Sequence, residues 1–110
     1  MDLVVRLARI AAAALLTACA AGPAAQTETV SARDNTFQPE TLRVPEGVSL
    51  SLTVTNDGAE DHNLVRPDQG IDSGVIAPGA ATTVTIGPLA RPTTFVCTLH
   101  NGMAITLVPT

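Results

Sequence analysis

The sequence predicts an all-β domain, a sandwich or barrel of about seven to eight short strands, on three observations. No segment repeats its apolar residues at a helical period over any length. Many short runs alternate apolar with polar residues and are broken by Gly, Pro, Asn and Asp. Pro39, Pro45, Pro67, Pro78, Pro88 and Pro92 fall between the candidate strands, where no ladder N–H is required.

Taken in order, the first candidate strand is Thr29 to Arg33, followed by Thr41 to Val44. The clearest is Val48 to Thr55, where Val48, Leu50, Leu52 and Val54 point one way and Ser49, Ser51, Thr53 and Thr55 the other. It stops at Asn56-Asp57-Gly58, a turn signal whose glycine tolerates positive φ. Asn63 to Arg66, Ile71 to Ile76, Thr82 to Ile86, Thr93 to Cys97 and Ala104 to Val108 complete the set. With two phenylalanines and no Trp or Tyr, core bulk comes mainly from Val, Leu and Ile.

The chain has 110 residues, which favours a single domain, and its beginning has the layout of an export signal rather than of fold. Arg6 and Arg9 precede the apolar run Ile10 to Leu16, which is shorter than the roughly 20 residues that span a bilayer. Leu16-Thr17-Ala18-Cys19 then resembles the lipobox of bacterial lipoproteins. That resemblance implies a leader over residues 1–18 and a lipidated Cys19 as mature N-terminus, on more than one acyl chain, enough for stable anchoring. Residues 19–27 are expected to be the lipidated cysteine and a tether, Ala20 to Thr27 reaching about 25 Å when stretched, and residues 28–110 the folded domain.

With the leader removed, four arginines stand against nine acids and there is no lysine. Phosphate backbones require a basic face, so nucleic acid is excluded as a partner. Acidity of this kind serves solubility or the steering of a basic partner. Lipidation of Cys19 leaves Cys97 without a disulfide partner, and a metal is one reason for an exported chain to keep such a thiol.

The donor inventory defines the chemistry. The mature chain holds two histidines, His62 and His100, one further cysteine, Cys97, and one methionine, Met103. Two imidazoles and a thiolate with a weak axial thioether form the ligand set of a blue-copper electron-transfer centre. Zinc rarely takes methionine, and iron–sulfur clusters need several cysteines. Cys97 closes one candidate strand and Met103 opens the next, so the loop Thr98 to Gly102, with Asn101-Gly102 as its tight turn, can aim three side chains at one point. His62 lies 35 positions before Cys97, at the start of another strand.

These residues resemble the cupredoxins, the family of plastocyanin, pseudoazurin and amicyanin. The likeness runs from Phe37-Gln38-Pro39 and Leu42-Arg43-Val44-Pro45-Glu46-Gly47 through His62-Asn63-Leu64 to Cys97-x-x-His100-x-x-Met103, with the short ligand loop of amicyanin. It implies a Greek-key sandwich in which His62, Cys97 and His100 bind one copper equatorially and Met103 axially. It implies that Asn63 hydrogen-bonds the ligand-loop backbone, and that the edge of His100 is the exit for electrons, with Leu99 on the docking surface. One position departs from the family: Ile105 stands where a glycine is common.

The expectation is a monomeric, lipid-anchored carrier of single electrons between redox proteins outside the cytoplasm, on the outer face of the cytoplasmic membrane or at the outer membrane. It is not expected to be an enzyme: a Cys-His nucleophile with Asp61 as third member would lack a substrate cleft. A copper storage or delivery lipoprotein shares the ligands and is the alternative; a metal-free adhesive sandwich is a third. Phe37 and Phe95 are expected in the core, and Asp57, Glu60 and Asp61 in a solvated loop or a docking patch beside copper. The short tether and the course of the last strand are expected to leave copper facing away from the lipid.

Overall fold

In the computed structural model, residues 26–110 are described; the leader, Cys19 and most of the expected tether lie outside them. The described chain forms nine strands: β1 (Gln26–Arg33), β2 (Thr36–Gln38), β3 (Thr41–Val44), β4 (Leu50–Asn56), β5 (Val65–Arg66), β6 (Ile71–Asp72), β7 (Ala81–Ile86), β8 (Thr93–Val96) and β9 (Ala104–Pro109). One 3-10 turn, Pro67–Gln69, is the only helical element among the described residues. None of their helices is long and apolar enough to cross a membrane.

The strands make a four-stranded sheet in the order β2-β1-β4-β7 and a five-stranded sheet in the order β3-β9-β8-β5-β6. Alternation decides which face each strand buries. In β4, Leu50, Leu52 and Val54 are buried while Ser51, Thr53 and Thr55 stay partly exposed. In β9, Met103 at its threshold, Ile105 and Leu107 form the buried series. Ile105 pairs with Phe95, and both are fully buried in the common core with Phe37, Leu64 and Ile86. The departure at Ile105 is therefore a core side chain continuing the inward face of Met103, and packs as one.

The differences from the expected strands are local. β2 was not anticipated: three residues are too few for a period, and the strand exists because Ser31, Ala32 and Arg33 pair with it. β1 begins at Gln26, inside the stretch expected to be tether, because the backbone N–H of Gln26 bonds Ser49 and residues 26–32 run parallel to β4. The expected strand Asn63 to Arg66 shrinks to Val65–Arg66, and Ile71 to Ile76 to Ile71–Asp72, while Ile76 makes an isolated bridge to His62. There the chain leaves the ladder to build the site.

Two ends of the domain are distinguished by backbone bonds. The start of β1 is held to Ser49, and Thr110 exchanges bonds with Val44 and Glu46. At the other end of β1, the Ala32 carbonyl accepts the N–H of Asp57, in the loop that leads to His62. Six residue steps of strand, from Gln26 to Ala32, separate these ends, about 20 Å at roughly 3.3 Å per residue.

Candidate metal centre

His62 is placed by backbone. Its N–H donates to the carbonyl of Ile76 and its carbonyl accepts the N–H of Ile76, at 3.1 and 2.7 Å. The loop before it is folded over a buried side chain, Asn56, in phase with Leu50, Leu52 and Val54 on the inner face of β4. The Asn56 amide donates to the carbonyls of Glu60 (2.7 Å) and Ile76 (2.8 Å), and its oxygen accepts the N–H of Gly58 (2.9 Å). Gly58 suits the close approach there, since a Cβ would stand 3.2 Å from the Arg33 and Asp34 backbone and push it by a few tenths of an ångström. The His62 ring is wholly buried.

The second half of the centre is the turn after β8. Cys97 is buried, its N–H donates to the Met103 carbonyl (3.0 Å), and the Met103 N–H donates to the His100 carbonyl (3.3 Å). Gly102 takes φ 79°, the left-handed conformation that closes the loop. The described residues thus include the predicted turn at Asn101-Gly102, with Met103 buried immediately before β9.

Asn63 joins the two halves. Its side-chain oxygen accepts the Thr98 N–H (2.8 Å), its amide donates to the Thr98 hydroxyl (2.9 Å), and its own N–H points to Cys97 Sγ at 3.5 Å. Two neutral bonds across 35 positions fix the backbone beside the sulfur, and the N–H places a donor on it.

The result brings three of the four predicted ligands together: one donor atom each from His62, Cys97 and His100 lies within 4.8 Å of the others. Cys97 Sγ is 3.9 Å from His62 Nδ1, and the two imidazole rings are 4.6 Å apart between centroids. Met103 is tied to this group through its backbone bonds to Cys97 and His100.

The fit to a metal rests on the donors. His62 turns Nδ1 toward the sulfur, while its Nε2 is buried with no hydrogen-bond partner, a cost that an ion at Nδ1 would leave in place. Burial holds the His62 imidazole below its usual range, and the adjacent His100 adds to the shift; Glu60, Asp34 and Asp61 oppose it. A neutral imidazole is the form that binds metal. With a lone buried thiol and a second imidazole beside it, the set suits a soft, imidazole-accepting ion, and copper above zinc if Met103 joins.

His100 is held differently. Its Nε2 lies 2.9 Å from the Asp61 carbonyl and its Nδ1 3.7 Å from a Glu60 carboxylate oxygen, and 12% of its side chain is exposed. The loop expected to be solvated or a docking patch beside copper contributes two contacts to His100, although the Glu60 side chain itself remains largely exposed. Asp61 meets His100 through its backbone carbonyl. Leu99 is exposed next to it.

Sequence reasoning missed Asn56 and Thr98. The parity of β4 placed Asn56 inward, and a buried amide after three buried aliphatics signals a loop anchor. Nothing in the sequence marked Thr98.

A family model described as "Cupredoxin-like domain" matches residues 6–108, and the chain belongs to that family. No curated protein sequence matches it significantly. Among solved structures it resembles auracyanin A, a "blue" copper protein of Chloroflexus aurantiacus, with TM-score 0.64 at 15% identity over 79% of this chain and 100% of that one. A reduced variant of amicyanin gives 0.63 at 19% identity, over 80% of this chain and 86% of that one. A copper-containing nitrite reductase of Thermus scotoductus gives 0.60 at 16% identity, over 78% of this chain but only 28% of the enzyme. At these identities the likeness establishes the fold, and the donor set of His62, Cys97 and His100 indicates copper as the cofactor.

Proposed function

We propose that the chain is a lipid-anchored carrier of single electrons between protein partners outside the cytoplasm, with one copper held by His62, Cys97, His100 and Met103. The observation that carries this reading is the convergence of His62, Cys97 and His100 within 4.8 Å around a thiol that Asn63 braces. Bound copper would supply a one-electron Cu(I)/Cu(II) couple.

The rest follows from the chain's own residues. His62 and Cys97 are set in place by backbone and amide bonds, so little protein has to rearrange when charge changes at the centre. Cys97 and Met103 belong to the same buried apolar core as Phe95 and Ile105, which keeps water from that side of the centre. His100 is the ligand nearest solvent and our candidate for electron exit, with exposed Leu99 beside it as docking surface. Cys19 would carry the lipid, and the remote start of β1 supports an orientation with the centre facing away from the membrane. Two histidines and one free thiol leave no donors for a second copper, which supports a carrier rather than an oxidase.

Adding Cu(II) to the metal-free chain should give an intense thiolate-to-copper charge-transfer band and a type 1 paramagnetic-resonance spectrum, both lost in Cys97→Ser. Rapid electron self-exchange should accompany them. Absence of the band refutes the copper site.

One observation favours storage or delivery as a second reading: both His100 nitrogens have protein neighbours, Asp61 and Glu60, so this ligand has somewhere to go when copper leaves. Sluggish or irreversible redox cycling with ready transfer of Cu(I) to a chelator would select that reading.

A further inference from the structure

The two sheets have four edge strands, and three of them are blunted. β2 has three residues and β6 has two, while β3 has four, contains Arg43 and runs into Pro45. Short length, charge and proline are the devices by which sheets avoid adding further strands. β7, at the edge of the four-stranded sheet, has none of them. It is Ala81-Thr82-Thr83-Val84-Thr85-Ile86, six residues without charge, proline or glycine, and its register with β4 is unbroken from Thr55↔Ala81 to Leu50↔Ile86. Among the described residues no strand pairs with its outer side.

We propose that β7 is an interface at which two copies of this chain pair antiparallel about a two-fold axis, joining two four-stranded sheets into one of eight. This revises the expectation of a monomer and does not depend on copper. Three features of the strand select a second copy rather than a different peptide.

The first is charge. The chain is net acidic, yet neither β7 nor its neighbour β4 holds a charged residue, so here two copies approach without placing acids opposite one another. The second is the match of faces. With Val84 opposite Val84 of the other copy, Thr82 meets Ile86 on the core side and Thr83 meets Thr85 on the solvent side, both favourable cross-strand pairs. The third is cover. Val84 packs against the core but remains partly exposed, on an edge that no described strand pairs with, and a second β7 would cover it further. A strand pairing with itself through a two-fold is an isologous contact, which closes after two copies and does not propagate.

The test is the association state of the whole chain, metal-free and copper-loaded, by sedimentation equilibrium between about 10 µM and 1 mM, the range that suits a small interface. A monomer–dimer equilibrium is expected in both forms. Thr83→Lys with Thr85→Lys sets lysines against lysines across the axis and should weaken it at least tenfold. The same double variant should keep the metal-free melting temperature of the monomer, since both positions face solvent. As a second readout, Val84→Cys should cross-link two copies under mild oxidation, whereas Thr27→Cys, two strands in from that edge, should not. A monomer at 1 mM overturns the proposal. So does a dimer that the lysine pair leaves intact, or Val84→Cys cross-linking no better than Thr27→Cys.

Discussion

His62 and His100 are the same side chain in the same centre, held by opposite means. His62 is buried, its backbone is bridged to Ile76, and the loop before it hangs on Asn56. His100 lies in the turn between β8 and β9, keeps some solvent exposure, and is steadied by a carbonyl and an exposed surface carboxylate. One ligand is part of the core and would stay in place without metal; the other belongs to the rim and can adjust. A copper site needs both properties, a fixed half that sets geometry and a half that admits the ion.

Cutting the anchor of the fixed half should have the largest effect. Asn56→Ala strips the Glu60 carbonyl and the Gly58 N–H of a partner and takes one of two donors from the Ile76 carbonyl, and should lower stability by about 3 kcal/mol, measured as a shift in the urea midpoint of the metal-free chain. Urea unfolding should also separate the two histidines. His62→Ala leaves a cavity and should cost about 2 to 3 kcal/mol, whereas His100→Ala should stay within about 1 kcal/mol while abolishing the blue band just as surely. Equal losses of stability would break the comparison. Asn63→Ala removes the brace between the halves and should cost about 2 kcal/mol, yet the N–H to the sulfur is backbone and survives, so the band should persist on a less stable protein.

Two smaller effects sharpen the contrast. The His62 imidazole is held low by burial, so the unfolded chain binds the proton more readily than the folded one. Stability of the metal-free chain should therefore be flat above the ordinary imidazole range near pH 6.5 and fall as pH drops below it. Denaturation midpoints from pH 8 to pH 5 check this, and the fall should shrink in His62→Ala. Glu60→Gln, at the rim, removes one of the charges that oppose the depression of His62, so it should leave the midpoint at pH 8 unchanged and slightly steepen the fall toward pH 5. It should raise copper affinity about two- to threefold in a chelator competition, because an exposed carboxylate competes only weakly for His100.

Much of this architecture could be read in advance, for physical reasons that differ by element. β4 and β9 were visible because each has one wet and one dry face, which writes a period of two into the sequence. The ligand loop was visible because Cys97, His100 and Met103 are local, and only a glycine could close the turn at 102. β2 was invisible because three residues carry no period, and the shortened β5 and β6 because their neighbours divert the backbone toward His62. The partners of His100 were invisible because a backbone carbonyl such as that of Asp61 leaves no residue-type signature.

By itself the sequence determined the all-β class, the apolar side of each longer strand and the inventory of soft donors, since these depend on side-chain chemistry and short-range geometry. Tertiary structure alone decided that His62 stands beside a sulfur 35 positions away, that Ile105 is core, that Asp61 and Glu60 meet His100, and that β7 is the one sheet edge left unguarded among the described residues. Each of those depends on which strands become neighbours, a choice made by the whole core and recorded in no single segment.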